Sequence, residues 1–262
     1  MIKLEHVWDE YVKPANIFGN LYFIGIRAVC THLIDTGDGL IIIDPGYSES
    51  LHIIVNNIWE LGFRPMDIKY IVVSHAHFDH MDSVSDLAAM TGAKTFIGKA
   101  DLPLLTGEIF HYPINAFQPD VLLEDGDVIS LGNTEITCVA TPGHTDGTMS
   151  FFFDVTDGTK TYRAGMFGGA GTNTLTQEFL TEHNLPVENR RKFMDSIHKL
   201  KEEKVELFLG NHLDNNHTEE KLALLHNADE NPFTANSREE WEHFLHARLL
   251  RIKQIMEQES VV

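Results

Sequence analysis

Only two cysteines, Cys30 and Cys138, occur in the 262 residues, each inside an apolar, strand-like run. Two thiols so placed exclude a disulfide scaffold and a thiolate zinc site, and they read as buried thiols packing as small apolar groups. Positive charge is also scarce: 20 Lys and Arg stand against 39 Asp and Glu, a formal net charge of −19. A nucleic-acid binder draws its affinity from basic side chains that neutralise phosphates, so that class is excluded. Anionic membrane surfaces are disfavoured on the same ground. No run approaches the roughly 18 to 20 apolar residues of a membrane span. The opening Met1-Ile-Lys-Leu-Glu-His-Val-Trp-Asp-Glu has no basic stretch followed by an apolar one, which leads to the expectation of a cytoplasmic chain. No Pro- or Ser-rich linker divides the sequence, and one domain over residues 1–262 is expected. Gly165 to Gly171 is glycine-rich but lacks the Gly-Lys-Ser/Thr ending of a phosphate loop.

What is present is 43% apolar content with 10% aromatics, enough for one sizeable core. Leu21-Tyr-Phe-Ile, Thr31-His-Leu-Ile-Asp and Gly39-Leu-Ile-Ile-Ile-Asp44 read as strands, with Thr36-Gly37-Asp38-Gly39 as the turn of a hairpin. Leu51, Ile54, Val55, Ile58 and Leu61 recur at helical spacing and predict a helix over 49–61, stopped by Gly62. The continuous apolar run Ile68 to Ser74 reads as a buried strand, and a helix is expected from Asp82 to Thr91, stopped by Gly92. Further strands are expected near 94–98, 121–123, 127–131, 134–140, 148–155, 160–165 and 205–209. Phe193, Ile197 and Leu200 mark one helix, and Trp241, Phe244, Leu245, Leu249, Ile252 and Ile255 a long C-terminal helix over 238–258. Ser237 and Glu240 have capping-box spacing, and Arg190-Arg-Lys192 reads as a solvated face. Hairpin-built sheets and one-sided helices predict an α/β fold of two packed sheets coated by helices.

The composition has one excess, 15 histidines without a His-rich tract. His75-Ala-His77-Phe-Asp79-His80 places four potential ligands in six residues at the exit of a buried strand. Strand alternation sends His75 and His77 to one side, and the following turn can swing Asp79 and His80 toward a neighbouring point, so two adjacent centres are natural. Thr141-Pro142-Gly143-His144 and Gly210-Asn211-His212 end two further strands. Histidines on three strand ends suit an open divalent-metal site, and so many unpaired imidazoles are costly to bury together without one. Asp44 ends a strand near the same edge, where it either bonds a ligand imidazole or caps the turn before Gly46. Phe110, His111, Tyr112 and Phe117 are candidates to wall a pocket. His6, His52, His183, His198, His217, His226, His243 and His246 lack ligand spacing and read as non-ligands.

The H-x-H-x-D-H cluster, the later T-P-G-H and the late strand-terminal His resemble the metallo-β-lactamase superfamily, and the match runs along nearly the whole chain. It is most similar to the third subclass of metallo-β-lactamases, also through Ile34-Asp-Thr-Gly-Asp-Gly-Leu-Ile-Ile-Ile-Asp-Pro-Gly46 and Asn231-Pro-Phe. The resemblance implies an αββα sandwich with metals at the sheet edges. It implies one metal held by His75, His77 and His144 and a second by Asp79, His80 and His212, two Zn²⁺ in all, with iron or manganese as alternatives. Water shared by two such ions has its pKa lowered toward about 7 and becomes a nucleophile at neutral pH, which Asp79 can orient. The residual positive charge of such a centre would draw a small anionic substrate. The implied activity is hydrolysis of a cyclic or acyclic amide or ester, β-lactamase-like, with lactone or thioester hydrolysis, a di-iron redox role or non-catalytic metal binding as the other readings. Two departures stand out. The strand Arg163-Ala-Gly-Met166-Phe-Gly-Gly-Ala-Gly171 has no metal-bridging Asp, as in the third subclass. Met166 and Gly168 stand where β-lactamases of that subclass usually carry serines that order water and bind a substrate carboxylate, so Met166 is expected at the pocket and β-lactam turnover is expected to be weak.

Overall fold

The computed structural model describes residues 6–106, 114–225 and 227–260. Two sheets divide the strands by sequence order. The first runs β1 (Ala15–Phe18), β2 (Leu21–Phe23), β3 (His32–Asp35), β4 (Leu40–Ile43), β5 (Ile68–Val72), β6 (Lys94–Gly98) and β7 (Val121–Leu123), neighbours in the chain being neighbours in the sheet. The second holds β8 (Val128–Leu131), β9 (Thr134–Ala140), β10 (Met149–Thr156), β11 (Thr161–Met166) and β12 (Leu207–Leu209), in the order β12-β11-β10-β9-β8. Pairing is antiparallel from β1 to β4 and parallel from β4 to β7, so the strands on either side of β5 end at the same edge.

Strand alternation divides the apolar residues between two faces. Ile41 and Ile43 of β4 and Val72 of β5 meet Phe151, Phe153, Val155, Met166 and Leu209 in one inter-sheet core. Ile42 and Ile71 turn outward beneath Ile54 and Ile58 of α1 (Leu51–Glu60), with α2 (Phe78–Met81) and α3 (Val84–Thr91) completing that layer. On the opposite side, α5 (Asn189–Leu200) and α7 (Ser237–Glu259) cover the second sheet, while α4 (Gln177–Glu182) packs Phe179 on the outer cluster of the first sheet and α6 (Thr218–Leu224) packs Leu222 on the inter-sheet core. Phe193 and Ile197 of α5 and Trp241, Leu245 and Ile252 of α7 cover Phe152 and Phe208. The arrangement is the four-layer αββα sandwich. Each fully buried aliphatic or aromatic side chain contributes about 1.5–3 kcal/mol, so both outer layers are held by burial along one helix face.

Three local expectations change. Ser237 is not the N-cap of α7: Asn236 holds that position at φ 59° without a side-chain capping bond, while the Ser237 hydroxyl accepts the Phe208 N–H of β12 at 2.5 Å. Arg190 is no solvated residue; it is buried, donates from Nε to the Leu175 carbonyl at 2.8 Å and pairs with Glu259. The strand β5 is shorter than its apolar run, because the chain leaves the ladder after Val72 for the loop that carries His75 and His77, and β12 begins at Leu207, two residues into its run. Among the described residues, no helix is long and apolar enough to cross a membrane.

Candidate active site

The three loops that carry the donor histidines each follow a strand, β5, β9 or β12. The apolar run of β5 ends in Ser74, and Ala76 between the two histidines is buried, which sets His75 and His77 on the loop above the sheet. The first turn of α2 then delivers Asp79 and His80. His144 follows the turn after β9, where Gly143 at φ 137° lies so close to α5 that a Cβ would stand 2.5 Å from Phe193 Cα. His212 follows β12, and its loop is braced by His32, whose Nε2 hydrogen-bonds the Gly210 carbonyl at 2.9 Å.

The donors fall into two groups, His75 with His77 and His144, and Asp79 with His80 and His212; within each group the ligand atoms lie within 4.8 Å of one another. In the second group Nε2 of His80 is 3.3 Å from Nε2 of His212, and Oδ2 of Asp79 is 3.4 Å and 3.6 Å from those two nitrogens. Donors about 2.0–2.1 Å from a shared tetrahedral zinc stand roughly 3.3 Å apart, so this spacing fits the ion. His75 and His80 rings are 4.2 Å apart centre to centre, which makes the two groups neighbours.

The opposite ring nitrogens are tied down. His80 Nδ1 meets Asp44 Oδ2 at 2.9 Å, His144 Nδ1 meets the Gly171 carbonyl at 2.9 Å, and His212 Nδ1 meets the Ala28 carbonyl at 2.9 Å. His75 Nδ1 meets Ser74 Oγ at 3.0 Å, and Ser74 in turn donates its hydroxyl to Asp44 Oδ2 at 2.6 Å and its N–H to Oδ1 at 2.7 Å. A carbonyl or carboxylate partner fixes the proton on Nδ1 and leaves the Nε2 lone pair facing the centre. His75 Nε2 has no hydrogen-bond partner although it is buried. A buried acceptor of that kind costs free energy unless something with a positive charge meets it.

Electrostatics separate the same side chains. Burial, together with neighbouring histidines, lowers His75 and His144 far below the ordinary imidazole value and His77 to about 4. His212 is lowered by burial and by His80. Burial opposes charge on His80 as well, but Asp79 and Asp44 on its two sides carry it up to about 10. Burial alone would raise Asp79; the facing His80, His212 and His77 outweigh it and hold the carboxyl well below its usual range.

A cavity of about 470 Å³ opens over these groups, walled by Tyr47, Phe78, Ala170, Gly171, Phe179 and His183 among others. His183, read from sequence only as a non-ligand, thus faces the site without joining either donor group. Met166 is not at the cavity: it ends β11 beside Phe151 and Leu209, and its side chain is fully buried in the inter-sheet core. Nor can position 168 carry a side chain, because a Cβ on Gly168 would lie 1.8 Å from the Met149 carbonyl oxygen. Asp44 does bond a site imidazole, as one of its two sequence readings required. Phe110, His111 and Tyr112 lie outside the described residues, and Phe117 packs on the α1 and α3 side of the first sheet. Sequence reasoning missed Ser74, Thr174, His32 and Asp101. Thr174 hydrogen-bonds His144 at 3.1 Å. Burial raises the carboxyl of Asp101 to about 6, against hydrogen bonds from Ala76, Thr145 and Gly147 that lower it. Only the adjacency of Ser74 to His75 gave any signal for these four.

The sequence model of the family described as "Metallo-beta-lactamase superfamily" matches residues 25–157, just over half of the chain. The chain belongs to the metallo-beta-lactamase superfamily. Among solved structures of that superfamily, the subclass B3 metallo-beta-lactamase BJP-1 of Bradyrhizobium japonicum superposes with a TM-score of 0.87 at 25% identity, covering 98% of this chain and 98% of that one. Metallo-beta-lactamase GOB-18 of Elizabethkingia meningoseptica does so with a TM-score of 0.85 at 27% identity, covering 98% and 96%. The two donor groups fit the subclass B3 pattern. Among curated relatives, the "Probable polyketide biosynthesis zinc-dependent hydrolase PksB" of Bacillus subtilis is 32% identical over 113 residues, 43% of this chain and 44% of that protein. The chain spans about half the length of the curated relatives it matches.

Proposed function

We propose that this metallo-beta-lactamase relative is a hydrolase with two zinc ions, one held by His75, His77 and His144 and one by Asp79, His80 and His212, opening an ester or amide bond of a small molecule. The observation that carries the reading is the second donor group, whose three atoms already stand 3.3 to 3.6 Å apart while their ring partners hold the other nitrogens. Two bound cations would supply Lewis-acid polarisation of a carbonyl and lower the pKa of water at the site. The chain's own side chains do the rest. Asp79, kept anionic by the facing histidines, accepts a proton-bearing bond from the attacking water and orients it. Asp44 and Ser74 hold His80 and His75 in one tautomer. Tyr47 is buried enough that its phenol keeps its proton and offers a donor at the wall. Phe78, Phe179, Ala170 and Gly171 exclude water around the body of the substrate.

A lactone or thioester suits this wall better than a carboxylate-bearing β-lactam. Among the described residues no Lys or Arg lines the cavity, and the crowded Gly168 leaves no room for a hydroxyl-bearing side chain. Among the described residues an anionic substrate would therefore find its positive charge only in the two cations, with neutral donors such as Tyr47 and Asn173 at the wall. The test is elemental analysis of the purified full chain combined with a panel of lactones, thioesters, esters and β-lactams. Two zinc-like ions per chain and turnover within the panel are expected, with Asp79→Asn folded but nearly inactive. A metal-free chain without turnover, or an active metal-loaded Asp79→Asn, would refute the reading.

A further inference from the structure

Asp101 follows β6 and is completely buried, with no cation beside it in any ion pair among the described residues. Its Oδ2 accepts the N–H of Ala76 at 2.8 Å and the hydroxyl of Thr145 at 2.8 Å, and its Oδ1 accepts the N–H of Gly147 at 2.7 Å. Ala76 is the residue between His75 and His77; Thr145 follows His144 directly. One carboxylate thus joins the two loops that present all three histidines of the first donor group, loops that belong to different sheets. The contact is close-packed: a Cβ on Gly147 would lie 2.3 Å from the Asp101 nitrogen, and one on Gly98 would lie 1.9 Å from the Gly147 carbonyl oxygen.

We infer that Asp101 is a positioning residue, a carboxylate clamp that sets the separation of the His75–His77 loop from the His144 loop and so the fit of the first metal. A merely structural aspartate would have no reason to place all its acceptors on these two loops, and a short neutral side chain would leave the buried N–H groups of Ala76 and Gly147 unpaired. Asn in its place offers one acceptor oxygen and turns an NH₂ against an N–H or hydroxyl donor. The hydrogen bonds of Asp101 go to Ala76, Thr145 and Gly147 and to no residue of the second group, which serves as an internal control.

The inference rests on the proposed metal site, and the experiment separates the two. Chelator-stripped full chains, wild type and Asp101→Asn, each alone and combined with His212→Ala to leave only the first group competent, are titrated with Zn²⁺ against a chromophoric chelator. Co²⁺ spectra of the same four proteins report ligand geometry. Asp101→Asn should fold, lose roughly ten- to hundredfold in zinc affinity at the first group, shift the Co²⁺ bands of that group, and leave the second unchanged. Thr145→Val, which removes one donor and spares the carboxylate, should lose a smaller factor of roughly three to ten at the same group. It decides the matter if Asp101→Asn does not fold. First-group affinity within twofold of wild type, or an equal loss at both groups, overturns the clamp and leaves the metal site standing. Wild type that takes up no zinc overturns both.

Discussion

Asp44→Asn is the sharpest single perturbation of the site, because it alters protons while leaving the backbone alone. Asp44 sits at φ 53°, a conformation Asn tolerates as readily as Asp, so no backbone penalty is added. In the native chain the carboxylate accepts three bonds, from His80 Nδ1 at 2.9 Å, Ser74 Oγ at 2.6 Å and Ser74 N at 2.7 Å. The amide can keep only part of this. With its oxygen on Ser74 N–H, its NH₂ donates to His80 Nδ1 and Ser74 Oγ. Ser74 then donates to His75, and both imidazoles carry their proton on Nε2. With the amide reversed, the NH₂ meets Ser74 N–H, donor against donor. The first arrangement places a proton where each metal must bind, the second leaves a buried donor unpaired at about 1–3 kcal/mol. Loss of such outer support typically costs roughly tenfold to a hundredfold in metal affinity, about 1.4 to 2.8 kcal/mol. Unlike the Asp101 variant, this one should weaken both groups, since Asp44 reaches His80 directly and His75 through Ser74. Zinc titration against a competing chelator, with thermal unfolding of the stripped chains as the control for folding, measures it. Two equivalents bound as tightly as in wild type by a normally folded Asp44→Asn chain would refute the tautomer argument.

Two other outcomes are expected. In the metal-free chain His77 is lowered from its ordinary 6.5 to about 4, a contribution of about 3 kcal/mol that is present above pH 6.5 and lost as pH falls toward 4; His80, raised to about 10, contributes below its unfolded value and loses that contribution as pH climbs through 10. Urea unfolding of the stripped chain from pH 4 to 10 should trace a stability maximum between these limbs, and flat stability down to pH 4 would contradict the burial of the histidines. Met166→Ser should destabilise by about 2–4 kcal/mol in denaturant, as a deep core truncation that also buries a hydroxyl, and should not improve the Michaelis constant for a carboxylate-bearing β-lactam; an improved constant would place the side chain at the cavity after all.

The donor set was legible in the sequence because four ligand residues within six at a strand exit have few other physical explanations, and the strand ending at Val72 does deliver them. The two packed sheets with helices outside were legible through hairpin-forming strands and one-sided helices. What escaped is what periodicity does not encode. Met166 looked like a pocket residue by its place in the chain, but the pleat of β11 points it inward beside Phe151 and Leu209. Asp101 and His32 bond residues distant in sequence, and nothing local distinguishes them from other polar side chains. The short β1, α4 and α6 have no long apolar repeat to announce them. The Ser237 hydroxyl is taken by β12, a tertiary partner that outcompetes the capping role its spacing suggested.

The hydrogen-bonding supports of His75, His80, His144 and His212 are Ser74, Asp44, Gly171, Thr174 and Ala28, whereas α4 meets the cavity through Phe179 and Glu182. Reactivity and selectivity are therefore housed in separable parts. Substitutions along residues 177–182 can redraw what the cavity admits while the hydrogen-bonded supports of those four histidines stay in place. A library confined to that segment is the natural starting point for changing the substrate without rebuilding the reaction centre.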